Sequence, residues 1–135
     1  MSRYLLDANA IIALLNDRNS AIAQRARKHK PDDIAIPAFV AHELFYGAFK
    51  SKRQQHNVDL IDGLHFAVLD FDKEDARQSG ELRAVLATMG KPIGPYDVLI
   101  AGQAKARNMI LITSNTNEFK RVPGLRIEDW QTPQK

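Results

Sequence analysis

Short apolar runs alternate with longer stretches whose apolar residues recur every three or four positions, the pattern of strands separated by amphipathic helices. Tyr4-Leu5-Leu6 reads as a first strand and 9–15 as the helix after it, which the polar run Asn16-Asp17-Arg18-Asn19 stops. Ser20 is placed to cap a second helix carrying Ile22, Ala23 and Ala26 on one side. Pro31-Asp32-Asp33 is a turn and Ile34-Ala35-Ile36 the next strand. Apolar residues at 39, 40, 44, 45, 48 and 49 predict a largely buried helix, and Val58, Ile61 and Leu64 carry the helical pattern on through 54–64. A third strand is expected over 66–71. Asp72 then opens a helix to about residue 89, with Asp75 in its first turn, where a carboxylate suits the helix dipole. After the loop Gly90-Lys91-Pro92-Ile93-Gly94, Pro95 fits the first turn of a helix to residue 107. Met109-Ile110-Leu111-Ile112 is strand-like, 113–117 are loop formers, and Leu125-Arg126-Ile127 makes a short last strand before Trp130 and a polar tail over about 131–135.

Strands alternating with helices predict an α/β fold: a central parallel sheet of four to five strands, covered on both faces. Ligands of such sheets sit beyond the carboxyl ends of the strands. A length of 135 residues fits a single domain spanning 1–135. With 44% hydrophobic and 26% charged residues, a disordered or fibrous chain is excluded. The sequence has no cysteine, which removes disulfides, thiolate metal sites and a cysteine nucleophile and suits a reducing compartment. No apolar run approaches the ~18 residues of a membrane span, and Asp7 arrives too early for a signal peptide. A soluble, cytoplasmic protein is expected.

Nineteen Lys and Arg against 16 Asp and Glu give a net charge of +3. The basic residues cluster at Arg25, Arg27, Lys28, His29 and Lys30, at Lys50, Lys52, Arg53 and His56, and at Lys120, Arg121 and Arg126. Each cluster alone reads equally well as a solvated face. Among the acids, Asp17, Asp32, Asp33, Glu74, Asp75 and Glu118 have the neighbours of ordinary surface or turn positions. Asp7, Glu43 and Asp97 do not. Asp7 lies between Leu5-Leu6 and Ala10-Ile11-Ile12, Glu43 sits mid-helix among Phe39, Val40 and Tyr46, and Asp97 shares a helix side with Ile100 and Ala101. An unpaired carboxylate in apolar surroundings takes up a proton or finds a cation. A hard divalent ion, Mg²⁺ or Mn²⁺, would satisfy all three together. Taken singly, Asp7 as a helix cap, Asp97 as a dipole partner and Glu43 reaching for solvent remain open. Asp7 and Asn115 both fall at carboxyl ends of predicted strands, on one edge of a parallel sheet, and Glu43 and Asp97 lie near the starts of helices that face that edge.

The segments LLDANAIIALL (5–15), PAFVAHELFYGA (37–48), GKPIGPYDVLIAGQA (90–104) and LITSNTNEFKRVPGLRIEDW (111–130) resemble the PIN-domain ribonucleases, and within them the VapC toxins of VapBC toxin–antitoxin pairs. The resemblance runs nearly end to end. It implies a three-layer α/β/α domain in which Asp7, Glu43 and Asp97 hold Mg²⁺ or Mn²⁺ and carry catalysis. It puts Asn115 in the place of a fourth acid, with Asn9 and Thr113 as supports of the ligands or of a second ion. Ala8 departs from the family, which usually has a small hydroxyl residue there. The implied reaction is hydrolysis of RNA to 5′-phosphate and 3′-hydroxyl ends. It needs no histidine pair, and His29, His42, His56 and His65 are expected on helices among charged or core positions. Lys50, Lys52, Arg53 and Arg83 are candidates for gripping RNA. The resemblance also implies transfer RNA as the favoured substrate, a VapB-type antitoxin as partner and a homodimer. Two rivals stand beside this reading: an aspartate-based phosphotransfer domain, which would need a second acid beside Asp7 and a late lysine, and a PIN-like module that binds RNA or a partner without cutting, which Ala8 and Asn115 keep open.

Overall fold

A computed structural model describes residues 3–133; Met1, Ser2 and the last two residues of the expected tail lie outside the described residues. The most apolar strands occupy the middle of the sheet. β1 (Tyr4–Leu6) is buried throughout and pairs with β2 (Ile34–Pro37) on one side and with β4 (Ile110–Ile112) on the other. β3 (Ala67–Leu69) and β5 (Ile127–Glu128) close the edges, giving the order β3-β2-β1-β4-β5 with every pairing parallel. The chain leaves β1 toward β2 and returns on the far side of β1 as β4, so a crevice opens between those two strands at their carboxyl ends. Register sets Leu6 against Ile112, which makes Asp7 and Thr113 neighbours one step beyond the sheet.

Helices cover both faces. α1 (Ala8–Asn16) and α2 (Ala21–Ala26) follow β1; α3 (Ala38–Lys50) and α4 (Gln54–Asp62) follow β2; α5 (Lys73–Thr88) and α6 (Pro95–Ala106) lie between β3 and β4. Ser20 caps α2 as expected, its hydroxyl accepting from the Ala23 amide at 3.2 Å. Asp72 and Asp75 cap α5 reciprocally, each carboxylate accepting the other's backbone amide at 2.9 and 3.0 Å.

Several sequence expectations change. The loop over 113–117 gives way to a short helix, α7 (Thr116–Phe119), held by the burial of Phe119. α3 is not buried all round: Val40, Ala41, Leu44 and Ala48 form the buried stripe, while Tyr46 and Phe49 stand 61% and 57% exposed because the sheet lies under one side alone. The third strand shrinks from 66–71 to Ala67–Leu69, since an edge strand has a ladder partner on one side. His65 is not helical; α4 ends at Asp62 and His65 takes a left-handed turn with φ 57°. Asp75 is the largest departure. It is 1% exposed, and Arg107 reaches it with two nitrogens at 3.2 and 2.9 Å.

That ion pair sits where α5 and α6 cross. A Cβ at Gly102 would stand 2.4 Å from the Ser79 Cβ and 2.5 Å from its Cα, so the absent side chain sets the helix spacing. Gln103, fully buried, donates to Asp75 and to the Asp70 carbonyl. α6 is thereby fixed at its carboxyl end, and its amino end is delivered to the crevice.

Candidate active site

Three segments meet there. Asp7, Ala8 and Asn9 from the β1–α1 junction, Phe39, Val40 and Glu43 from α3, and Gly94, Tyr96 and Asp97 from the start of α6 line a cavity of about 290 Å³. Asp7 caps α1, accepting from the Ala10 amide at 2.8 Å. The capping role and a place in the cavity are therefore held by the same carboxylate. Burial lifts the Asp7 carboxyl above its ordinary range, against the pull of hydrogen bonds from the Thr113 hydroxyl and the Ala10 amide. Thr113 itself is 1% exposed, and its oxygen also accepts the Asn115 amide at 3.0 Å. Glu43 is on the open side of α3, at the cavity mouth, rather than among apolar neighbours.

Asp97 is pushed up to about 7, by burial first, then by a hydrogen bond and charge from Glu118, then by the charges of Asp7 and Glu43. Glu118 is therefore no ordinary surface residue. The Gly94 amide donates to its Oε1 at 2.8 Å and the Asn115 amide nitrogen to its Oε2 at 2.7 Å. These contacts, led by the Gly94 amide and aided by Asn115 and the hydrogen bond with Asp97, hold Glu118 below the usual carboxylate range despite partial burial. Asp97 and Glu118 thus titrate as a pair, with Asp97 the more readily protonated of the two. Asn115, expected in the position of a fourth acid, instead orients a real one. Asn115 and Glu118 stand three residues apart at the start of α7, the spacing of a capping box, and that spacing was the available signal.

Gly94 closes this corner by necessity. A Cβ there would lie 3.1 Å from the Asp97 Oδ2 and 3.7 Å from the Glu118 Oε1.

The other named residues lie elsewhere. Arg83 lines a separate cavity of about 350 Å³ behind the loop, with Leu86, Pro92 and Pro95 among its walls. Lys50 ends α3 with its ammonium 5.6 Å from the Tyr46 ring, and Lys52 and Arg53 are exposed in the turn that follows; none of the three lines the carboxylate cavity. His29 stacks on Trp130 at 5.3 Å and packs against Tyr4 at 4.6 Å. Among the described residues, no histidine and no lysine lines the cavity, so none of them supplies the acid–base pair of a 2′-hydroxyl mechanism or the lysine of a phosphotransfer domain there.

Among the described residues, no three acids or histidines stand close enough to form a finished metal cage. The electrostatics nonetheless fit a cation. Asp7, Glu43 and Asp97 line a single crevice, Glu118 is hydrogen-bonded to Asp97, and the charges of the other three all raise the Asp97 carboxyl; among the described residues, no basic side chain lines the crevice. All available donors are oxygens, the chemistry of a hard divalent ion that keeps part of its water shell.

Comparison with known proteins agrees with this fold. The PIN domain family matches residues 4–125. The chain is 39% identical over 132 residues to the tRNA(fMet)-specific endonuclease VapC of Shigella flexneri, covering 96% of this chain and 99% of that one. It is 33% identical over 132 residues to ribonuclease VapC2 of Haemophilus influenzae, with the same coverage. Among solved structures, a chain of the DNA-bound VapBC complex from Salmonella typhimurium superposes with a TM-score of 0.90 at 38% identity, covering 96% of this chain and 99% of that chain. With its crevice of carboxylates beyond a five-stranded parallel sheet, the chain belongs to the PIN-domain family, on the branch of the VapC ribonucleases.

Proposed function

We propose that this protein is an endoribonuclease toxin of the VapC type that hydrolyses phosphodiester bonds of structured RNA, transfer RNA foremost, and is neutralised by a VapB-type antitoxin. The observation that carries the mechanism is the gathering of Asp7, Glu43 and Asp97, with Glu118 bonded to Asp97, in one crevice whose lining among the described residues includes no basic side chain. The names of the relatives carry the substrate and the partner.

Asp7, Glu43 and Asp97 would hold Mg²⁺ or Mn²⁺ through their carboxylate oxygens. When bound, such an ion lowers the pKa of water and offsets charge on the phosphate and the departing 3′-oxygen. The chain supplies the rest. Thr113 and the Ala10 amide fix the Asp7 carboxylate so that it need not reorganise. Glu118, aimed by Gly94 and Asn115, holds the Asp97 carboxyl in place. Phe39, Val40 and Ile100 exclude water from the inner wall of the cavity. Cleavage by water in this way leaves 5′-phosphate and 3′-hydroxyl ends.

The test is cleavage of unfractionated bacterial transfer RNA by wild type and Asp7→Asn, with Mg²⁺, Mn²⁺ or EDTA and with end-group analysis. Discrete products with 5′-phosphates, lost in EDTA and in the variant, are expected. Cleavage that survives EDTA, or ends that are 2′,3′-cyclic, would reject the mechanism; RNA binding without any cleavage would return the non-cutting module.

A further inference from the structure

The wall of the cavity facing the acids is aromatic, and neither the metal nor the hydrolysis accounts for it. Tyr96 directly precedes Asp97 in the first turn of α6. Successive helix residues diverge by roughly 100°, so with Asp97 directed at the acids, Tyr96 flanks them. Its ring is 59% exposed, although it lines the same cavity. Phe39 lies beside that ring, the centroids 6.3 Å apart and the planes inclined by 28°. Phe39 is in turn braced edge-on by Phe71, at 5.8 Å and 76°. The Tyr96 hydroxyl has no hydrogen-bond partner among the described residues, so no polar contact explains its position. The three rings form a row that starts just beyond β3 and ends in a largely exposed tyrosine ring lining the carboxylate cavity.

We propose that Tyr96 is a stacking platform for a nucleobase, placing the nucleotide next to the cleaved bond so that its phosphate enters the carboxylate crevice. This rests on the ribonuclease reading and deepens it. Bases stack on aromatic side chains with little regard to sequence, because each has a π face, and single-stranded or splayed-out nucleotides are the form in which that face is free. Four acids repel a polyanion, so an uncharged grip close to them is more useful than it would be elsewhere on the surface. The Phe39 and Phe71 bracing holds the ring before substrate arrives, which lowers the ordering cost of binding. Tyr96 is accordingly a positioning residue, selecting an unpaired nucleotide at the cut rather than a base identity.

The test begins by mapping the bond that wild type cuts in transfer RNA. A synthetic stem-loop with 2-aminopurine beside that bond is then bound in Ca²⁺, where cleavage is suppressed. Wild type should quench the fluorophore, Tyr96→Ala should not, and Tyr96→Trp should restore quenching. In Mg²⁺, Tyr96→Ala should raise KM about tenfold with a smaller effect on kcat, and an abasic nucleotide at the labelled position should erase the difference between wild type and variant. Tyr46→Ala, which removes an equally exposed tyrosine from the outside of α3, should change neither reading. If wild type cuts RNA but Tyr96→Ala quenches and binds as wild type does, the platform is wrong and the ribonuclease reading stands. If that variant instead loses affinity only for the antitoxin, the ring belongs to a protein interface and the proposal is overturned. If wild type cuts no RNA, both readings fall together.

Discussion

The two ends of α6 carry buried or half-buried aspartates in opposite circumstances. At the carboxyl end, Asp75 of α5 meets Arg107 at 2.9 Å, with Gln103 and the Asp72 amide completing its hydrogen bonds. Burial alone would raise this carboxyl; the guanidinium and the other donors outweigh it and hold Asp75 below its ordinary range. At the amino end, Asp97 meets further acids instead, and sits at about 7. An acid supplied with its own cation ties two helices together, whereas the acids around Asp97 raise its carboxyl in a crevice that, among the described residues, no basic side chain lines. The contrast separates a structural carboxylate from a functional one more sharply than burial does, since Asp75 is the more buried of the two.

Exchanging the charge at the amino end should give the largest effect. Asp97→Asn should reduce cleavage about a thousandfold, the loss of several kcal/mol of transition-state stabilisation, yet make the metal-free protein more stable at pH 8. The sign follows from linkage. Folded Asp97 keeps its proton to about pH 7, whereas the unfolded chain releases it near 3.8. Metal-free stability therefore declines as pH rises across that interval and levels off above it. Urea midpoints in EDTA from pH 4 to 8 should show the decline in wild type and a flatter profile in the variant. A less stable variant at pH 8 would mean that the acids do not repel one another.

At the carboxyl end the expected signs reverse. Asp75→Ala leaves Arg107 without its buried partner and should cost about 3 kcal/mol in urea unfolding, while activity per folded molecule stays near wild type. The depressed Asp75 carboxyl contributes its stability above pH 3.8 and loses it as pH falls through the still lower folded value, an acid-side loss where Asp97 gives a neutral-side one. A cost under about 1 kcal/mol would place the pair with exposed salt bridges.

The smallest effect tests the link between site and support. Asn115→Ala removes one donor from Glu118, and Mn²⁺ affinity by calorimetry should fall about tenfold, with stability unchanged to within about 0.5 kcal/mol. Unchanged affinity would detach Glu118 from the metal ligands.

The sequence exposed some of these residues and concealed others for one physical reason. Asp7 and Asp97 were legible because a carboxylate beside Leu6 or Ile100 contradicts its own neighbourhood, and helices α1, α3, α5 and α6 because their apolar periodicity is long enough to count. Glu118 was hidden: Asn117 and Lys120 around it are unremarkable, and its meaning comes from an amide 24 positions earlier in the chain. Asp75 was hidden likewise by a partner 32 positions away. Strand ends at 66 and 71 depended on which neighbour the ladder provides, which no local pattern records. Phe39 read as core and proved half-buried, and its stacking on Tyr96 came into view through the placement of α6 against α3.

Gly102 has a mechanical consequence. With its Cα lodged against the Ser79 backbone, α5 and α6 behave as one girder, and sliding one along the other would drive atoms into overlap. Asp97, in the first turn of α6, therefore keeps its place relative to the Asp75–Arg107 pair at the far end of the same helix.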